Sequence, residues 1–232
     1  MKKGRTILAE HVFEVRHVAS GTFLDVRGYV ADYIKECKLF PHWNIDTNIV
    51  NFRDKEKKAA TDSAFIGYKS AGYIVFNAPT KNYFPDKSAK FWNTLIKNNH
   101  YKIPELLRIG IRTKAFFPLS ETFEEIRNAI YNKFYTKESQ NLIGGSLNDL
   151  QLVIDYEEEG FKVFLRGGPI KKGKATKYFN FESEELKNGG LFLDLDFFKK
   201  DPIEHKNIPP LIKTAINITW KKLETITRGL GF

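Results

Sequence analysis

The chain of 232 residues reads as an α+β protein, an antiparallel sheet with helices mainly on one of its faces. Three observations predict this. Short segments alternate apolar and polar residues with period two, as half-buried strands do. Between them lie segments with apolar residues at helical spacing. Two hairpin-like stretches repeat one pattern, Tyr68-x-x-x-Gly72-Tyr73-x-Val75-Phe76 and Tyr156-x-x-x-Gly160-Phe161-x-Val163-Phe164.

HVFEVRHV, residues 11–18, predicts the first strand. His11, Phe13, Val15 and His17 share one face, and Val12, Glu14, Arg16 and Val18 the other. A helix over 23–38 follows, carrying Phe23, Val26, Val30, Tyr33, Ile34 and Cys37, with Gly28 weakening it. Residues 51–63 are polar and charged and predict an exposed loop. AFIGY and YIVFN form the first hairpin, with Gly72 at the turn. Pro85–Asp86 opens a helix through Asn99, with Phe91, Trp92, Leu95 and Ile96 on one face. LLRIGIRTKAFF, 106–117, is a strand. Thr122 and Glu125 fit a capping box on a helix that turns Phe123, Ile126, Ile130 and Phe134 inward. Residues 144–149 are a loop before the second hairpin. SEELKNGG predicts a short helix stopped by glycine, and GGLFLDLDFF a strand. Pro209–Pro210 opens the last helix, with Ile212, Ile216, Leu223 and Ile226 inward and a stop at Gly229.

The two hairpins are offset by a constant interval, and each is followed by a helix, a strand and a helix. The echo points to one domain over 1–232, built from similar halves at about 11–134 and 149–228.

Composition narrows the function. The chain is 42% hydrophobic and 14% aromatic, ample for a packed core. Its net charge of +9 favours anionic partners, nucleic acid or an acidic protein surface. Cys37 is the single cysteine, so an internal disulfide and a cysteine zinc site are excluded, and a reducing, cytoplasmic setting is expected. Cys37 itself reads as a buried, inert thiol. The opening MKKGRTILAEHVFEV is not read as a signal peptide, because acids and a histidine break its apolar run. No segment approaches the ~20 apolar residues of a membrane helix.

Four sets of residues carry candidate chemistry. Asp194 and Asp196 share a strand face and have the spacing to hold a divalent metal. The plainer reading makes them the wet face of a strand, paired with Arg108 and Arg112. Asp155, Glu157, Glu158 and Glu159 with Lys162 resemble a nuclease-like grouping, but the glutamates occupy a predicted turn. The exits of the two hairpins are basic. Arg166, Lys171, Lys172, Lys174 and Lys177 precede Tyr178 and Phe179, while Lys81, Lys87 and Lys90 surround Tyr83 and Phe84. Lysines beside aromatic rings suit phosphates and stacked bases. The five histidines show no metal-binding spacing, and no catalytic nucleophile motif is present. No catalytic residue and no cofactor is assigned.

Phe91–Trp92, the Arg-Ile-Gly-Ile-Arg run at 108–112, Leu-Asp-Leu-Asp at 193–196 and a closing helix with Trp220, Ile226 and a terminal Gly-Leu-Gly carry a resemblance. Together they resemble a sporadically distributed, uncharacterised bacterial protein family of similar length. The central strand of that family continues with an aromatic residue, Ile and Asn, where this chain has Thr113–Lys114–Ala115. The resemblance implies a bacterial cytosolic domain and no assigned activity. The expectation is a non-enzymatic basic binding module. Two alternatives are a structural or regulatory subunit, with self-association through a sheet face, and a metal-dependent phosphodiester hydrolase using Asp194 and Asp196.

Overall fold

The computed structural model describes residues 6–55, 61–200 and 202–232. Among the described residues, nine strands form one antiparallel sheet. They are β1 (Leu8–His17), β2 (His42–Ile45), β3 (Ile49–Arg53), β4 (Asp62–Gly67), β5 (Ser70–Phe76), β6 (Leu106–Pro118), β7 (Leu152–Glu158), β8 (Phe161–Ile170) and β9 (Gly190–Lys199). The helices are α1 (Gly21–Glu36), α2 (Tyr83–Leu95), α3 (Phe123–Phe134), α4 (Lys137–Ile143) and α5 (Ile208–Gly229). Across the sheet the order is β2-β3-β4-β5-β1-β6-β9-β8-β7.

Period-two alternation decides what each strand buries. Phe13 and Val15 of β1, Ile109 and Ile111 of β6, and Leu191, Leu193, Leu195 and Phe197 of β9 enter one apolar cluster. That cluster also takes Phe23, Val30 and Ile34 of α1, Phe91, Trp92 and Leu95 of α2, Ile126 and Ile130 of α3, and Ile212, Ile216 and Leu223 of α5. The helix residues recur three and four positions apart, which puts them on one stripe. Trp92 is fully buried, and its indole N–H donates to the His205 carbonyl at 2.8 Å.

The helix ends are specified locally. Thr122 Oγ1 accepts from the Glu125 amide at 3.2 Å, and Glu125 Oε2 accepts from the Thr122 amide at 2.7 Å, the reciprocal capping box. Pro209 and Pro210 sit in the first turn of α5, where a missing N–H costs nothing.

Several local expectations are corrected. Asn51–Arg53 belong to β3 rather than a loop, because Phe52 and Val50 alternate into the core; residues 56–60 of that stretch lie outside the described residues. The short strand β2 and helix α4 were not expected. The second helix runs 83–95 instead of 85–99, and Phe134 at the end of α3 is exposed. Cys37 caps α1 and is exposed, since the apolar stripe of α1 ends at Ile34.

One of the two hairpin glycine readings also changes. Glu159 and Gly160 form the β7–β8 turn at positive φ, as expected of that glycine. Gly72 instead lies inside β5, where a Cβ would come within 2.5 Å of the Phe13 carbonyl oxygen and of the Phe65 ring. The need there is close approach, not a turn. The hairpins therefore differ in local geometry despite their shared pattern. They differ in place as well: β5 lies against β1, whereas β8 lies against β9 and β7 is an edge strand. Strand β8 also runs on through Gly167 and Gly168 to Ile170, so Arg166 is a strand residue and not part of a basic loop. A Cβ on Gly167 would lie 2.3 Å from the Phe192 carbonyl oxygen, which is why glycine continues the strand.

Candidate functional site

The other face of the central strands is charged. Register aligns Glu10 of β1 with Lys114 of β6, Lys114 with Asp194 of β9, and Asp194 with Arg166 of β8. The next row runs Val12, Arg112, Asp196 and Phe164, and the one after it Glu14, Gly110, Phe198 and Lys162. Arg16 pairs with Arg108 beyond them. Opposite charges thus meet across neighbouring strands, an arrangement that stabilises the pairing.

Asp194 is the hub. Its Oδ1 accepts from Arg112 Nε at 2.8 Å, and its Oδ2 accepts from Arg112 Nη2 at 2.6 Å and from Arg166 Nε at 2.8 Å. The contact with Arg112 is bidentate, the geometry in which a guanidinium fits a carboxylate best. Asp196 lies 3.8 Å from Arg108 Nη2. Burial pushes the Asp196 carboxyl above the usual range, with Arg108 and Arg112 opposing that shift. The hydrogen bond with Asp194 raises the Arg112 pKa further above its ordinary value. Lys114 Nζ meets Glu10 Oε1 at 2.7 Å, and the Asn180 amide donates to Glu10 Oε2 at 2.9 Å.

The ladder is asymmetric in depth. The Asp194 and Glu10 side chains are 2% exposed, while Arg112, Arg166 and Arg16 are 35%, 41% and 59% exposed. Two of the four carboxylates on these strands are therefore buried, while Arg16, Arg112, Arg166 and Lys162 reach further toward solvent. Asp194 cannot meet a metal without displacing two arginines, so the pair reads as structural anchors for arginines. Arg108 folds over Gly110, where a Cβ would sit 3.1 Å from its guanidinium, and its Cζ lies 4.9 Å from the centre of the Phe198 ring.

The residues expected at the hairpin exits separate. Arg166 joins the ladder. Lys171 lies over the Phe123 ring, 4.8 Å from its centre, while Lys172, Lys174 and Lys177 are exposed. Their segment closes one end of the charged face: Ala175, Phe179 and Leu186 pack on Leu8, Phe116 and Phe192 in a second apolar cluster. Tyr178 leans on Phe192, with ring centres 4.7 Å apart. Phe179 is buried and unsuited to stacking bases. Lys81 instead pairs with Glu224 and covers the Trp220 ring of α5, and Lys87 covers Tyr83. Phe84 is buried against His11. The two basic exits thus have different surroundings.

Sequence reasoning did not assign Glu10, Glu14, Arg16 and Lys114 to a site. The signal was present in period two, which sets Glu14 with Arg16 on β1 and Arg108, Arg112 and Lys114 on β6. It also missed a buried carboxylate, Asp62, which accepts from the hydroxyls of Tyr73 and Tyr83 at 2.9 Å each. Burial raises the Asp62 pKa, and burial together with Asp62 raises that of Tyr83 to about 12.

No protein-family model matches the chain, and no curated protein matches it. Among the described residues, no helix is long and apolar enough to cross a membrane.

Proposed function

We propose that the chain is a non-enzymatic binding module that receives an anionic partner on the arginine-bearing sheet face. The observation that carries this reading is the difference in exposure along the ladder. Asp194 is buried, while the two arginines it holds, Arg112 and Arg166, stay 35% and 41% exposed; Glu10 is likewise buried and holds Lys114. A guanidinium held by a buried carboxylate is pre-organised, so less side-chain entropy is lost when it meets a phosphate or carboxylate. Lys172, Lys174 and Lys177 add charge along the segment that closes one end of this face. A cavity of about 250 Å³ lies over the face, lined in part by Glu14, Arg16, Arg108, Arg112 and Asp196.

The sheet order supports two similar halves in a register other than that of the hairpins. Reading outward, β1, β5, β4 and β3 on one side correspond to β6, β9, β8 and β7 on the other. The halves are then β1-α1-β3-β4-β5-α2 and β6-α3-β7-β8-β9-α5, with helices on one face. In this reading the arginines of β1 and β6 lie where the two halves meet.

Salt dependence tests the reading. Binding of a polyanion is expected to weaken with salt, and the Arg16→Gln/Arg108→Gln double variant is expected to lower the log–log slope by about 1 to 2. Circular dichroism on the variant checks its fold. An unchanged slope in the folded double variant, with loss instead in Lys81→Gln/Lys87→Gln, contradicts the assignment.

A further inference from the structure

We infer that the anionic partner is a single-stranded nucleic acid, which crosses the strands of the charged face and stacks a base against the Arg108–Phe198 pair. This inference rests on the proposed function of that face and adds the class of ligand. Two cavities flank the pair. Arg108 lines the first, of about 250 Å³. Phe198 lines the second, of about 600 Å³, together with Asp155, Glu157, Lys162 and Lys200. A guanidinium set beside a phenyl ring, with Arg108 Cζ 4.9 Å from the Phe198 centre, pairs a cation with an aromatic surface, which suits unstacked bases. Bases in a duplex already stack on each other, so this platform discriminates against double strands.

Cations continue in the direction a backbone would take. Arg16 stands on β1, Arg108 on β6, Lys200 just past β9 and Lys162 on β8, which are consecutive strands in the sheet. At ~4.8 Å between strands, they span roughly 15 Å, enough for several phosphates in single file. A flat acidic protein surface has no need of a guanidinium–aromatic pair between two cavities, so the observations favour the nucleic acid.

The remaining carboxylates add base preference. Glu14 and Asp196 line the first cavity, and Asp155 and Glu157 the second. They repel phosphate but accept hydrogen bonds from the exocyclic amine of cytosine. Cytosine is thereby favoured over thymine or uracil, which present carbonyl oxygens at that position.

Fluorescence anisotropy on the full chain at low salt tests this, with short oligo(dC), oligo(dT), duplex DNA and inorganic polyphosphate as probes. The expected order is oligo(dC) tighter than oligo(dT), with duplex weaker than either. Phe198→Leu and Arg108→Lys are each expected to lose about tenfold in oligo(dC) affinity, the scale of one base stack, while polyphosphate binding changes little. Arg108→Lys keeps the charge and removes the plane, so it remains informative if Phe198→Leu fails to fold. Equal binding of oligo(dC) and oligo(dT) overturns the cytosine preference. Unchanged oligo(dC) affinity in folded Phe198→Leu and Arg108→Lys overturns the base stack and leaves the anionic face standing. Failure of the wild-type chain to bind polyphosphate or any oligonucleotide overturns both.

Discussion

Replacing Arg112 with leucine is expected to destabilise the fold by about 3 kcal/mol, the usual scale for removing one partner of a buried ion pair. The variant leaves Asp194 buried with one of its three hydrogen bonds, the one from Arg166. The cost comes mostly from the stranded carboxylate and less from any attraction lost. A second change separates these terms. In Arg112→Leu/Asp194→Leu no carboxylate is left stranded at position 194, and Arg166 is exposed enough to turn to water. The double variant is therefore expected to recover most of the loss. Urea titration of the three proteins measures this. A double variant less stable than Arg112→Leu contradicts the role of Asp194 as a buried anchor. The same comparison bears on the metal alternative, because a carboxylate kept for a metal does not depend on Arg112 for its tolerance of burial.

Acid is expected to destabilise the protein through His11. The ring is buried, with Nδ1 2.9 Å from Thr113 Oγ1 and the ring stacked on Phe84 at 5.2 Å between centres. Burial lowers its pKa from 6.5 to about 4. The unfolded chain thus binds a proton that the folded chain refuses between these values. The resulting stability is fully present above pH 6.5 and falls away as the pH drops through 4, by about 3 kcal/mol in all. Burial also lowers the pKa of His17 and His205, so both add to the same trend. Asp62 and Asp196 have raised pKa values and oppose it. The contribution of His11 is the difference between wild type and His11→Gln. Denaturation at pH 7, 5.5 and 4 is expected to show a shallower loss in the variant, and parallel losses would contradict the assignment.

The legible parts of the fold are those set by neighbouring residues. The period-two runs of β1, β6 and β9, the capping box at Thr122 and the proline start of α5 depend on local sterics and hydrogen bonds. Long-range approach was not legible. Gly72 looks like a turn residue in sequence, yet it lets a neighbouring strand come close, as Gly167 does. The hairpin echo misled for the same reason: a shared pattern of glycine and aromatics formed a turn at Gly160 and a strand interior at Gly72. The candidate site was half legible. The expected pairing of Asp194 and Asp196 with Arg112 and Arg108 is found. Glu10, Glu14, Arg16 and Arg166 joined it through strand order, which brings β1 and β8 to either side of β6 and β9. No local pattern encodes that adjacency.

The central claim is the place of binding, and NMR shift mapping tests it most directly. Oligo(dC) is titrated into the labelled full chain, and side-chain signals of arginine, lysine and phenylalanine are followed. The account predicts shifts at Arg16, Arg108, Arg112, Lys162 and Phe198. Shifts confined to Lys81, Lys87 and the neighbouring surface of α2 and α5, with these five unmoved, would contradict it.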